Sequence, residues 1–158
     1  MKLIEILLGK GSKGSVYSHD DPSLVLKTFY EDPAYEYYLN WCIKHPNNRF
    51  GVKVKNWRKS ENQNEVLLER LEPVTWDDLE SEVSKWNKMI NGDPLNDDFM
   101  HFSNAEWERL SKVKDLDIAE FAKFITGALA GNNEFEIELQ KSNIMKRGSQ
   151  IVFIDPLF

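Results

Sequence analysis

The sequence predicts an α+β protein of two lobes. Three features predict it: short apolar strands and one helix up to Pro73, helical periodicity after it, and a small hairpin at the end. Its 158 residues suit one domain, 1–158, with an N-lobe over 1–72 (an antiparallel sheet plus one helix) and a reduced helical C-lobe over 73–158. A chain of this length buries roughly 68–70% of its unfolded surface. Hydrophobic content of 41% and aromatic content of 12% describe a globular protein rather than a disordered one.

Residues 3–8 alternate weakly and read as a strand that runs into Gly9-Lys10-Gly11-Ser12-Lys13-Gly14-Ser15-Val16. Glycines spaced G-x-G-x-x-G let a backbone approach phosphates closely, a weak signal taken alone. A dinucleotide fold needs a helix directly after them, but Val16-Tyr17-Ser18 is strand-like and His19-Asp20-Asp21-Pro22 is a turn. A P-loop needs Lys-Ser/Thr after its last glycine, and Gly14 is followed by Ser15-Val16. What remains is a glycine hairpin between antiparallel strands.

Leu24 to Phe29 is the third strand, with Val25, Lys27 and Phe29 on one face and Leu24, Leu26 and Thr28 on the other. Lys27 therefore lies on an inward face, where an unpaired ammonium is costly. Either an anion meets it, or its stem packs while its head snorkels at a strand edge. Asp32-Pro33 opens a helix, with Asp as N-cap and Pro at the first position. Tyr35, Tyr38, Leu39, Cys42 and Ile43 make its core stripe, and Glu36 lies at the stripe's edge, where it reaches Lys27 or stays solvated.

Residues 50–54 and 66–71 read as two further strands around the polar turn Ser60–Asn64. Helices are expected over Trp76 to Met89, from N-cap Asn104 to Lys114, and over Asp117 to Leu129, the last stopped by Gly131-Asn132-Asn133. The chain ends E-L-Q-K-S-N-I-M-K-R-G-S-Q-I-V-F-I-D-P-L-F from Glu138. Arg147-Gly148-Ser149 is turn chemistry between two apolar runs, so Asn143 and Asp155 return side by side. Both are hard oxygen ligands of the kind that hold Mg²⁺ with substrate phosphates. A buried edge hairpin with solvated polar ends is the alternative.

Composition excludes several classes. A net charge of −6 argues against nucleic acid as a partner, since affinity for phosphate backbones comes from clustered cations. Lys53, Lys55, Arg58 and Lys59 form one basic strand and turn, read as a solvated face. The single Cys42 allows no disulfide framework and reads as a packed thiol, and His19, His45 and His101 form no metal spacing. The N-terminus is too short and acidic for a signal peptide, and no apolar run approaches the ~20 residues of a membrane span. The expectation is a soluble protein of a reducing cytoplasm, with no membrane partner.

Taken in order, the pieces resemble the protein kinase fold over nearly the whole chain: G-x-G-x-x-G-x-V, then V-L-K, a helix with Glu36, a strand entering a hinge, helices, acid-x₄-Asn and a final Asp. The tail is most similar to the very small kinases of T7-like phages and bacterial effectors. In those, D-L-H-x-x-N-I-M…D-P stands where larger kinases have H-R-D-L-x-x-x-N…D-F-G. The resemblance implies a Ser/Thr protein kinase using ATP and Mg²⁺ on a host or target protein. Gly9, Gly11 and Gly14 would cover the phosphates, Val16 and Val25 would pack on adenine, and Lys27, oriented by Glu36, would bind the α/β-phosphates. Asn143 and Asp155 would hold Mg²⁺, and the Glu69–Glu72 backbone would bind the base as a hinge.

Two departures stand out. Glu138 occupies the place of the catalytic Asp, and Gln140 that of the small-kinase His. No activation segment follows Asp155, so the resemblance is to a minimal kinase that recognises peptides elsewhere, for instance at the insert around Asn91–Ser111 with Trp107 or Phe99 exposed. The alternative is a pseudokinase, a binding module that keeps the fold.

Overall fold

The structure is a computed structural model that describes residues 6–11, 13–131 and 134–158. The start of the first expected strand, Ser12 of the glycine hairpin and the Asn132-Asn133 stop lie outside the described residues. The fold is α+β, with a five-stranded antiparallel sheet, a three-stranded sheet and four helices among the described residues. Two compact units divide the chain: residues up to Pro46 with Val52–Arg70, and Asn47–Gly51 with Leu71–Phe158.

The first unit holds β1 (Leu7–Lys10), β2 (Gly14–Ser18), β3 (Leu24–Phe29), α1 (Pro33–Lys44), β4 (Val54–Lys59) and β5 (Asn64–Glu69), with sheet order β1-β2-β3-β5-β4. Register sets Val16, Lys27 and Val66 abreast, and Gly14, Phe29 and Asn64 abreast. Helix α1 covers this face. Asp32 caps it by accepting the Tyr35 N–H at 3.1 Å, and Tyr35 meets the Phe29 ring edge-on at 4.9 Å. Tyr38 accepts the Val52 N–H at 3.2 Å beside buried Cys42, whose thiol burial pushes up to about 12, an inert packed group as expected. One stripe position differs: Ile43 is 48% exposed and Trp41 is buried instead, stacked between Tyr38 and His45.

The second unit holds β6 (Glu72–Pro73), α2 (Trp76–Asn87), α3 (Asn104–Leu110), α4 (Leu116–Ala130), β7 (Ile144–Arg147) and β8 (Gln150–Phe153), with β6-β7-β8 antiparallel. Capping chemistry fixes the helix starts. Thr75 with Asp78 closes a capping box on α2, and Ser103 with Glu106 does so on α3. The α3 cap is thus Ser103 rather than Asn104, because only Ser103 has an acid three positions on. Helix α4 starts at Leu116 rather than Asp117, and Asp115 caps it, accepting the N–H groups of Asp117 and Ile118.

An aromatic core centres on fully buried Trp86. Phe50, Phe99, Phe102, Trp107 and Phe153 surround it with ring centroids 4.9–6.3 Å away. Phe153 stacks on Phe121 at 4.5 Å. Phe99 and Trp107, expected at the surface, are therefore 1% and 0% exposed. The same cluster overturns the expected strand at 50–54. Phe50 is drawn into the core, and its carbonyl accepts the Phe153 N–H at 2.9 Å, so β4 begins only at Val54.

Residues 47–51 are anchored by polar groups as well. Asn48 donates to the Asp117 carbonyl at 3.0 Å and to Glu120 Oε1 at 2.9 Å. Arg49 reaches Asp115 at 2.6 Å and Asp117 at 3.1 Å. The Arg49 guanidinium, helped by α4 backbone N–H groups, holds the Asp115 carboxyl below its ordinary 3.8. A carboxyl depressed in the folded state stabilises above its unfolded pKa, and that stability is lost as pH falls through the lowered value. Urea melts between pH 7 and pH 3 should therefore show a loss that Asp115→Asn reduces. That variant keeps a capping oxygen and should cost about 1–3 kcal/mol at pH 7 through the lost charge-assisted bonds.

Candidate functional site

The expected site residues fall into two groups, each built within its own unit. In the first, Gly9 pairs with Val16 and the Gly11 N–H donates to the Gly14 carbonyl at 2.8 Å, closing the hairpin. A Cβ on Gly14 would stand 2.5 Å from the Thr28 carbonyl oxygen and 3.2 Å from Phe29 Cβ, so glycine here lets β2 lie against β3. A Cβ on Gly9 would meet nothing within 4 Å, and one on Gly11 only the Gly14 oxygen at 3.9 Å. Internal packing thus explains Gly14, while Gly9 and Gly11 keep a bare backbone on an open side. Lys13 crosses to buried Asp32 at 3.8 Å, tying the hairpin to the start of α1.

Lys27 is half-buried between Val16 and Val66, on the face that α1 covers. Its ammonium lies 3.6 Å from the centroid of the Tyr35 ring, an attraction of about 0.5–2 kcal/mol that offsets part of its burial. Val16 and Val25 are half-buried on the same side of the sheet. Glu36 receives Lys59, Nζ to Oε1 2.7 Å. Lys59 lies level with Asn64 and Phe29 at the end of β4, which brings it over α1. In the expected hinge, the Glu69 N–H donates to the Lys53 carbonyl at 3.0 Å and the Arg70 N–H to Ser23 at 2.7 Å. Glu72 pairs with Lys146 in the β6–β7 ladder. The amides at 69 and 70 are committed within the first unit.

The second group is knit by backbone. Residues 136–138 run antiparallel to 156–158, with Glu136 and Phe158 exchanging bonds of 2.9 and 2.8 Å and the Glu138 N–H reaching Pro156 at 2.8 Å. Leu139 is buried, and a 3-10 turn over Lys141–Asn143 leads into β7. The Asn143 carbonyl accepts the Ile154 N–H at 2.9 Å, and its Nδ2 donates to the Glu138 carbonyl at 2.9 Å. Glu138, Asn143 and the residues flanking Asp155 thus meet at one corner. Gln140 Nε2 holds Glu138 Oε1 at 3.2 Å.

With Nδ2 engaged, Oδ1 is the atom that Asn143 offers a cation. Asn143 Oδ1 and the half-buried Asp155 carboxylate are hard oxygens, the donor type of which Mg²⁺ takes one or two before completing its shell with phosphate and water. Among the described residues no three His, Cys, Asp or Glu side chains gather into a cage of their own. Sequence reasoning missed Tyr35, Lys59, Asp32 and Gln140 as neighbours of these groups. Only Gln140, two positions from Glu138, left a local signal.

Compared with known protein families and with curated proteins, the chain finds no match. No described helix is long and apolar enough to cross a membrane.

Proposed function

We propose that the chain is a minimal, two-lobed, kinase-like phosphotransferase that moves the γ-phosphoryl of ATP to Ser or Thr of a host or target protein in the cytoplasm. The observation that carries this reading is the corner at the end of the chain, where two backbone bonds and the Asn143 side chain gather Glu138, Asn143 and the residues flanking Asp155. The bare backbone at Gly9 and Gly11 and the inward Lys27 support it.

Phosphoryl transfer asks a protein for positioning and charge neutralisation more than for covalent chemistry. Lys27 would bind the α/β-phosphates under Gly9, Gly11 and Gly14, with Val16 and Val25 against adenine. Asn143 and Asp155 would hold Mg²⁺, which when bound neutralises charge on the phosphates. Glu138 would accept the proton of the acceptor hydroxyl, its other oxygen steadied by Gln140. Its carboxylate reaches roughly 1.5 Å farther than that of Asp. A misplacement of about 1 Å costs on the order of 10²-fold, so a slow enzyme is expected.

One observation favours a second reading, a binding module that holds nucleotide without transferring phosphate: Glu138 stands where the resemblance expects the catalytic Asp. Incubation with γ-labelled ATP and Mg²⁺ decides between the two. Label on the chain itself or on a lysate protein is the expected result. A raised melting temperature without transfer leaves the binding module, and no nucleotide effect of either kind removes both readings.

A further inference from the structure

Alongside α2 runs an open groove of about 560 Å³, within the range of sites that seat a few side chains. Its floor is apolar, made by buried Leu79, Val83 and Phe99, and its wall carries Trp76, Glu80 and Asp97. Glu80 and Asp97 are exposed, and neither makes an ion pair among the described residues. Trp76 is 65% exposed, far more than a core indole, and its ring already attracts a cation, Lys141 Nζ standing 5.7 Å from the centroid. An apolar floor, an accessible indole and two uncompensated carboxylates are complementary to one chemistry: a side chain that is greasy along its stem and cationic at its tip.

We propose that this groove binds a basic peptide segment of a partner protein, with an Arg or Lys against Trp76, Glu80 and Asp97 and an apolar neighbour on the Leu79–Val83–Phe99 floor. The proposal goes beyond phosphoryl transfer, since an enzyme and a binding module would use the groove alike.

The probe is fluorescein-labelled Ala-Arg-Leu-Arg-Ala-amide, read by anisotropy against the full chain, beside versions with Glu or Gln for both arginines. Binding of the Arg peptide alone is expected. Glu80→Gln/Asp97→Asn together should weaken it about tenfold, and Trp76→Ala by a similar factor, with unchanged circular dichroism. Glu61→Gln/Glu108→Gln removes two exposed charges outside the groove and should leave affinity within about twofold. Equal weakening by that control pair, equal binding of the Gln peptide, or no binding of the Arg peptide would overturn the proposal. So would sedimentation showing a dimer that the Glu80→Gln/Asp97→Asn pair dissolves, which would assign the groove to a second copy of the chain.

Discussion

Replacing Asp155 with Ala is expected to lower the proposed phosphoryl transfer by about 10³-fold, while the melting temperature moves by only about 2–4 °C. The two outcomes separate because different atoms carry them. The corner is held by the Ile154 N–H on Asn143 and by the Glu138 N–H on Pro156, and neither bond uses the Asp155 side chain. The carboxylate, in contrast, is one of the two side chains proposed to hold Mg²⁺, and losing a preorganised charge of this kind typically costs 10²–10³ in rate. Lys27→Ala should reduce transfer by a comparable factor, with an added stability cost of about 0.5–2 kcal/mol from the lost Tyr35 contact. Labelled-ATP transfer and thermal melts on the same preparations check both. Full transfer by Asp155→Ala would remove this residue from the site.

Phe153→Ala is expected to cost about 3–5 kcal/mol, a large share of the 5–15 kcal/mol that separates a folded domain from its unfolded chain. Phe153 touches more of the second unit's core than its position on a short strand suggests. It stacks on Phe121 at 4.5 Å, meets Phe99 edge-on at 5.3 Å, and approaches Phe50 and Trp86 at 6.0 Å each. Truncation leaves a cavity that these rings cannot fill without breaking their own edge contacts. Urea unfolding should show a lower midpoint with the slope retained, and Phe153→Leu should recover more than half of the loss. This variant should lose any transfer in step with its folded fraction, unlike Asp155→Ala, which is expected to stay folded while transfer is lost. A cost below about 1 kcal/mol would contradict the packing described.

Elements that carry their own punctuation were readable in advance. Asp32-Pro33 marks the start of α1, and Gly148 takes the positive φ of 61° that its turn between β7 and β8 requires. The inward side of Lys27 followed from alternation along β3. What escaped was set by distant partners. Phe50-Gly51-Val52-Lys53-Val54 has the composition of a strand, but Trp86 and Phe153 compete for its first ring. Phe99 and Trp107 sit among polar residues, which suggests exposure, yet each faces the same cluster. Glu36 and Lys59 are 23 positions apart, and only the register of β3, β5 and β4 brings them together. In the candidate site the meeting of Asn143 with the residues beside Asp155 was legible because both positions flank one hairpin. The engaged amides of Glu69 and Arg70 were not, because their acceptors, Lys53 and Ser23, lie in other segments.

The excursion of residues 47–51 has a consequence for how the polypeptide can be divided. The backbone passes from the first unit to the second at Pro46, returns at Val52 and leaves again at Arg70, so neither half is one continuous piece. A fragment starting at Leu71 would be born without Phe50 and Arg49, missing both a ring of its aromatic centre and the counter-charge of Asp115. Tail and glycine hairpin are therefore inherited together: no one splice point could graft either half onto another protein as a self-sufficient cassette.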